Sequence, residues 1–170
     1  MIIRDVTDMD LSAILAIHNA AVAETTAIWD DAAVDFRDRQ AWLAARRTAG
    51  YPVLACEVDG VLAGYASFGD FRPRSGYRHT VEHSVYVEPG HRRRGIARLL
   101  LEALIKRAEG MGKHAMIGGI EARNTASIAL HAGLGFVEVG RLPQVGAKFG
   151  QWLDLIFMQR MLDDRVIPPR

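Results

Sequence analysis

The chain has 170 residues, 49% of them hydrophobic and 24% charged. That composition suits one globular domain over 1–170, with a core from about 2 to 162 and a loose tail over 163–170. With 21 basic and 20 acidic side chains the formal net charge is +1, so no global electrostatic case exists for nucleic acid or a membrane as partner. The lone Cys56 excludes an internal disulfide framework and fits a reducing, cytoplasmic setting, and no apolar run is long enough for a signal core or a bilayer span.

Residues 1–5 form a short apolar piece, read as a first strand. Asp8 and Asp10 then introduce Leu11, Ile14, Leu15, His18, Ala21 and Val22 at helical spacing. Asp35 to Ala49 predicts a second helix, with carboxylates in its first turn, Arg46 and Arg47 in its last, and Gly50 as its stop. Val53–Val58 and Val61–Phe68 flank Asp59-Gly60 and predict an antiparallel hairpin. A loop follows, Gly69 to Tyr77, holding Arg72, Pro73, Arg74, Ser75 and Gly76. Thr80–Val87 alternates as a strand, with Val81, His83, Val85 and Val87 on one face and Thr80, Glu82, Ser84 and Tyr86 on the other. Ile96, Leu99, Leu100, Ala103, Leu104, Ala108 and Met111 mark a long helix that Gly112 ends. His114–Ile120 predicts a strand, Asn124–Ala132 a short helix, Phe136–Val139 a strand and Gln151–Met161 a last strand.

The most informative segment is Val85-Tyr-Val-Glu-Pro-Gly-His-Arg-Arg-Arg-Gly-Ile-Ala97, a strand passing through a turn into a helix start. Unpaired N–H groups and the positive end of the helix dipole favour an anion there, and Gly95 lets the backbone approach a pyrophosphate without a Cβ in the way. Arg92, Arg93, Arg94 and Arg98 add positive charge. The spacing is neither a P-loop nor Gly-x-Gly-x-x-Gly, so a different phosphate-bearing ligand is implied. The plain alternative, a solvated basic helix start, loses weight because the arginines follow a Val-Tyr-Val strand.

Arg92-Arg-Arg-Gly95-Ile-Ala97 resembles the acetyl-CoA motif of the GNAT acetyltransferases, Gln/Arg-x-x-Gly-x-Gly/Ala, at all three fixed positions. Asn124 in Arg-Asn-Thr-Ala-Ser, followed by Leu-Gly-Phe136, resembles a second element of that superfamily. Thr80-Val-Glu-His-Ser-Val-Tyr-Val87, His131 and the Lys148–Asp154 stretch extend the resemblance to phosphinothricin and methionine sulfoximine acetyltransferases, over roughly Ile2 to Leu162. The resemblance implies an α/β GNAT fold: a mixed, mostly antiparallel, splayed sheet flanked by helices. It implies that the backbone of Val85, Tyr86 and Val87 pairs with the pantetheine of acetyl-CoA. The amides from Arg93 through Gly95, Ile96 and Ala97 to Arg98 would take the pyrophosphate, with Arg92 beside them, and Asn124 and Ser127 would also touch the cofactor. A homodimer is implied too.

Acetyl transfer to an amine needs a base, a donor to the carbonyl oxygen and a proton for the leaving thiolate. Glu82 is the expected base, because a carboxylate on an otherwise apolar strand has its pKa pushed upward. Its plain alternative is an ordinary strand carboxylate. His131 stands where many GNAT enzymes carry a tyrosine acid; it is expected to protonate the thiolate or orient the substrate, with simple packing as the competing explanation. Arg72, Arg74, Ser75 and Gly76 are expected to bind a substrate carboxylate, and Trp29 and Tyr86 to wall the pocket, against surface charge and core packing respectively.

His79-Thr-Val-Glu-His83 matches a zinc-protease pattern in letters only. On a strand, residues four apart are separated by about 13 Å, too far to share a metal at about 2 Å, so no metal is expected. The expectation is therefore an acetyl-CoA-dependent N-acetyltransferase of a small amino-acid-like amine of the methionine sulfoximine, methionine sulfone or phosphinothricin type. Acetylation of protein N-termini or lysine, and a CoA-binding sensor without catalysis, are the alternatives.

Overall fold

The structure, a computed structural model, describes Met1–Pro169. Seven strands form one sheet in the order β1-β2-β3-β4-β5-β7-β6. In chain order they are β1 Ile2–Asp5, β2 Val53–Val58, β3 Val61–Asp70, β4 Thr80–Val87, β5 Ala115–Glu121, β6 Val137–Lys148 and β7 Gln151–Met161. Four α-helices accompany them: α1 Leu11–Glu24, α2 Phe36–Thr48, α3 Ile96–Gly110 and α4 Thr125–Ala132. The Asp59-Gly60 turn closes the β2–β3 hairpin with both residues at positive φ, 51° and 79°, the conformation that matches the twist of the flanking strands. β3 is buried from Leu62 to Gly69, because both faces of the sheet are covered there.

One cover is α1 with α2, packed on Val53, Ala55, Leu62 and Tyr65. The other is α3, packed on Leu54, Ala63, Ala66 and Val81. The stripe that α3 buries is Ile96, Leu100, Leu101, Leu104, Ile105 and Ala108; Leu99 and Met111, expected on it, are exposed. Leu101 and Ile105 take their place, so the true contact face is rotated from the expected one and remains within the geometry of a single helical stripe.

The largest departure from the sequence reading is β6, expected to stop at Val139. Gly140, Pro143 and Gly146 read as loop residues, yet pairing with β7 continues to Lys148 through register shifts at Glu138/Gly140 and Leu142/Gly146. β6 is the sheet's edge, where bulges and a proline without an N–H are tolerated. Residues 163–169 carry no helix or strand, but they are tied down: Asp163 Oδ1 lies 2.6 Å from His114 Nδ1, and Arg165 Nη2 donates to the Gly112 carbonyl at 2.8 Å.

Every neighbouring strand pair is antiparallel except β4–β5. That parallel pairing lasts only from Thr80↔Ala115 to Glu82↔Ile117, whereas β4 stays paired with β3 as far as Val87. From Glu82 onward the sheet is split.

Candidate active site

The split sets the site. The Thr80 carbonyl accepts from Phe71 N, and Glu88 N donates to the Ala63 carbonyl, so even-numbered residues of β4 turn their main-chain groups toward β3. The His79 carbonyl accepts from His114 N and Ala115 N on the β5 side. By strand alternation Val85 and Val87 therefore direct N–H and C=O into the gap, where β5 no longer pairs with them. Tyr86 keeps its main chain on β3 and offers only its side chain. Of the three residues expected to pair with pantetheine, two have a free strand edge to do so.

A cavity of about 430 Å³ occupies this split and is lined from both sides of the sheet. On the α1–α2 side stand Trp29, Arg46, Glu82, Ser84 and Tyr86; on the α3 side stand His83, Val85, Asn124, Ser127 and His131. A donor molecule on one face and an acceptor on the other can thus meet through the sheet.

Beyond β4 the chain makes a single turn at Pro89–His91 and enters α3. Arg93 and Gly95 both hold positive φ, 60° and 81°, and nothing lies within 4 Å of where a Gly95 Cβ would stand. This is an open, left-handed bend that leads main-chain amides to the helix start, with Arg92, Arg93 and Arg94 exposed around it. Ile96 is buried under the sheet and anchors the helix, Ala97 is partly buried, and Arg98 is exposed and paired with Glu102 at 2.9 Å. The free edge and this bend together suit a long ligand with an amide-bearing arm and a pyrophosphate. Asn124 caps α4, its Oδ1 accepting from Ser127 N at 3.1 Å.

Glu82 is half-buried, and burial raises its pKa while the charge of Arg72 partly opposes the rise. Its Oε1 reaches toward β5, 3.2 Å from where a Gly119 Cβ would be. The missing side chain at Gly119 is what leaves room for the carboxylate beside the cavity.

His83 and His131 form a buried pair on the other face, ring centroids 5.0 Å apart and nearly parallel, with Phe136 edge-on to both. His131 Nδ1 is 2.7 Å from the Ser127 carbonyl, which only accepts, so Nδ1 carries the proton. His131 Nε2 then accepts from His83 Nε2 at 3.2 Å, and His83 Nδ1 is left buried without a partner. Burial lowers both pKa values, that of His83 to about 3. The pair is neutral near pH 7. Gly118 makes space for it, since a Cβ there would stand 2.8 Å from His83 Nε2.

The expected carboxylate loop lies outside the cavity wall. Arg72 stacks over the Phe71 ring at 4.1 Å, Ser75–Tyr77 form one short turn, and Arg74, Ser75 and Gly76 are exposed. Trp29 and Tyr86, by contrast, line the cavity. Trp29 rests on β6, where its ring fills the space of a Gly146 side chain, and its Nε1 donates to the Thr26 carbonyl at 2.9 Å.

Two cavity-lining residues, and one that braces the wall from behind, were not assigned to the site from the sequence. Arg46 looked like an ordinary last-turn cation of α2. Glu121 is buried at the end of β5 and paired with Arg123 at 2.9 Å. Lys148 is buried, its Nζ donating to the carbonyls of Val22, Thr25 and Ile28 at 2.5, 2.8 and 2.5 Å, which fixes the loop carrying Thr26 and Trp29. No local pattern announces these roles: Arg46 and Lys148 acquire their surroundings from distant segments, and Glu121 meets Thr26 as well as its chain neighbour Arg123.

The sequence matches the Acetyltransferase (GNAT) family over residues 14–136. It is 54% identical to an L-methionine sulfoximine/L-methionine sulfone acetyltransferase of Salmonella typhimurium over 168 residues, covering 99% of this chain and 98% of that one. Among solved structures it is similar to yncA of Salmonella typhimurium, a putative acetyltransferase with its cofactor acetyl-CoA (TM-score 0.97, 53% identity, 99% and 98% coverage). It is also similar to a ribosomal-protein-alanine N-acetyltransferase of Brucella melitensis (TM-score 0.94, 52% identity, 95% and 99% coverage).

Proposed function

The chain belongs to the acetyltransferase (GNAT) family, and from that premise we propose that it acetylates the amine of a small amino-acid-like substrate, of the methionine sulfoximine, methionine sulfone or phosphinothricin type. It is an acetyl-CoA-dependent N-acetyltransferase by family. The observation that carries the substrate reading is the through-sheet cavity, in which Glu82 stands beside the free edge of Val85 and Val87. A volume of about 430 Å³ suits an amino acid and a thioester end.

Acetyl-CoA would supply a thioester whose carbonyl carbon the acceptor nitrogen attacks; as the C–N bond forms the C–S bond breaks, and CoA leaves as its thiolate, which takes a proton from water in the open cavity. Val85 and Val87 hold the arm by main-chain pairing, and the bend from Arg93 to Arg98 takes the pyrophosphate, with Arg92, Asn124 and Ser127 alongside. Glu82, desolvated and so a stronger base than an exposed carboxylate, removes the amine proton directly or through one water. The Val85 N–H is the donor that lies closest in sequence to the split, and it polarises the carbonyl oxygen. Neutral His131, with its Nδ1 proton given to the Ser127 carbonyl and its Nε2 accepting from His83, has no proton free for the thiolate, so of its two expected roles it keeps that of orienting the reacting groups, through the face of its ring. Arg72, whose charge is felt at Glu82, attracts the acceptor's carboxylate together with Arg74, Ser75 and Gly76 of its loop, and Trp29 and Tyr86 wall the acceptor.

The enzyme works in the cytoplasm as a homodimer in this reading. Support for the dimer comes from the edge hairpin, where Val137, Val139, Leu142, Val145, Phe149 and Trp152 are exposed together.

The test follows thiol release from acetyl-CoA against methionine sulfoximine, methionine sulfone, phosphinothricin, free amino acids, polyamines and short peptides, with Glu82→Gln in parallel. Saturable turnover on the first three, falling on the order of 10²-fold or more in the variant, supports the proposal. The Brucella relative's name favours one other reading, a peptide acceptor, and turnover confined to peptides would establish it. CoA binding without turnover on any amine would leave a sensor.

A further inference from the structure

We propose that Arg46, on α2, is the residue that binds oxygens of the acceptor, the charged α-carboxylate or the polar side-chain oxygens, inside the cavity and so sets acceptor specificity; this rests on the small amino-acid reading above. Gly69 and Glu82 are directly opposed in the β3–β4 ladder, so their side-chain positions share one face of the sheet, about 5 Å apart. Gly69 has no side chain, and the Arg46 guanidinium fills its place: a Cβ on Gly69 would stand 1.6 Å from Arg46 Nη1 and 2.8 Å from Cζ. A cation from α2 is thereby laid on the sheet beside the expected base.

The guanidinium is under-used. Nη1 donates to the Phe68 carbonyl at 3.0 Å, and among the described residues no carboxylate lies within ion-pair distance of Arg46. The nearby Asp70 is engaged by the Tyr51 hydroxyl, while Glu82 is turned the other way, toward Gly119. Nη2 and Nε are not sealed from solvent, and Arg46 lines the cavity. Burial disfavours its charge, so an anion that pairs with it gains more than one at the surface does.

An acceptor whose amine meets Glu82 places oxygens within reach of this fork. Two sources offer accepting oxygens to a guanidinium: the charged α-carboxylate, and the side-chain oxygens, uncharged on sulfur and charged on phosphorus. Arg72 and its loop, outside the cavity wall, then serve capture, and Arg46 holds the bound molecule.

The experiment measures kcat and KM for wild type, Arg46→Lys and Arg46→Met on three acceptors: methionine sulfone, its α-carboxamide, and methionine. The carboxamide removes the negative charge and one oxygen of the carboxylate, and methionine removes both sulfone oxygens. In wild type the ratio of kcat/KM for the sulfone over at least one analogue is expected to exceed 10. In Arg46→Met that ratio should collapse toward 1 through acceptor KM, with the acetyl-CoA KM held, and Arg46→Lys should recover part of it. Collapse of the carboxamide ratio assigns the α-carboxylate; collapse of the methionine ratio assigns the side-chain oxygens. Both ratios surviving in Arg46→Met would overturn the proposal. So would an equal loss on every acceptor together with a raised acetyl-CoA KM, which would mean that Arg46 only braces α2 against β3. If wild type turns over no amino acid at all, the underlying substrate reading fails, and that result is distinct from either.

Discussion

Lys148→Met should loosen the acceptor side of the cavity while leaving the acetyl-CoA side intact. The ammonium makes three bonds to main-chain carbonyls at the end of α1 and in the loop after it, each worth about 1.5–3 kcal/mol for a charged donor. Opposing them is the desolvation of a buried ammonium, several kcal/mol in itself, and burial does push this pKa down. Methionine keeps the stem and removes both terms, but it strands three carbonyls that only partly rehydrate. The net loss is about 3 kcal/mol, equivalent to a fall in Tm of about 6–12 °C for a chain of this size. Because the released loop carries Thr26, Ala27 and Trp29, acceptor KM should rise several-fold more than the acetyl-CoA KM. Thermal melts followed by circular dichroism, with initial rates in both substrates, provide the check. A Tm within about 2 °C of wild type, with both KM values unchanged, would refute the account of Lys148 as the clamp of this loop.

The acid limb of kcat/KM should lie above the range of an exposed glutamate, near 4.3, because burial raises the Glu82 pKa and only the ionised form accepts a proton; a limb at the ordinary position would contradict that burial. Gly118→Ala should cost about 1–3 kcal/mol in denaturant midpoints, since its Cβ meets His83 Nε2 at 2.8 Å and His131 Nε2 at 3.2 Å, and imidazole nitrogen NMR shifts should report the disturbed pair. Gly95→Ala places a side chain at φ 81°, which costs about 1–2 kcal/mol; titration calorimetry should show weaker acetyl-CoA binding. Stability should decline as pH falls below about 6.5, because His83 and His131 stay neutral when folded and take up protons when unfolded. Each contributes a slope of at most about 1.4 kcal/mol per pH unit, and Asp10, held at about 2 by Arg4, adds its own loss below about 4. Urea midpoints that stay flat from pH 7 to 5 would count against the neutral pair.

Much of this protein was legible in the sequence because the signals are local. Asp59-Gly60 encodes a turn with two positive φ angles, Asn124 caps its own helix, and the alternation of Thr80–Val87 places Glu82 and His83 on opposite faces. The run from Val85 to Ala97 reads as strand, bend and helix start from its residue types alone, and the fold that the family resemblance implies is the one observed. What the sequence left open depends on contacts between distant segments. β6 continues past Gly140 and Pro143 because β7 accepts its bulges, a choice that edge position permits and composition conceals. The cavity exists because β4 and β5 part after Glu82↔Ile117, and strand propensity says nothing about where two strands separate. Arg46 reaches Glu82's face only because Gly69, 23 positions along the chain, withholds a side chain. Lys148 becomes a loop clamp only when the end of α1 is brought to it. Pattern determined which elements form and, to within a rotation such as that of α3, which faces they bury, whereas tertiary packing decided the extent of β6 and which polar groups meet inside, since a side chain's partners depend on positions that local spacing does not specify.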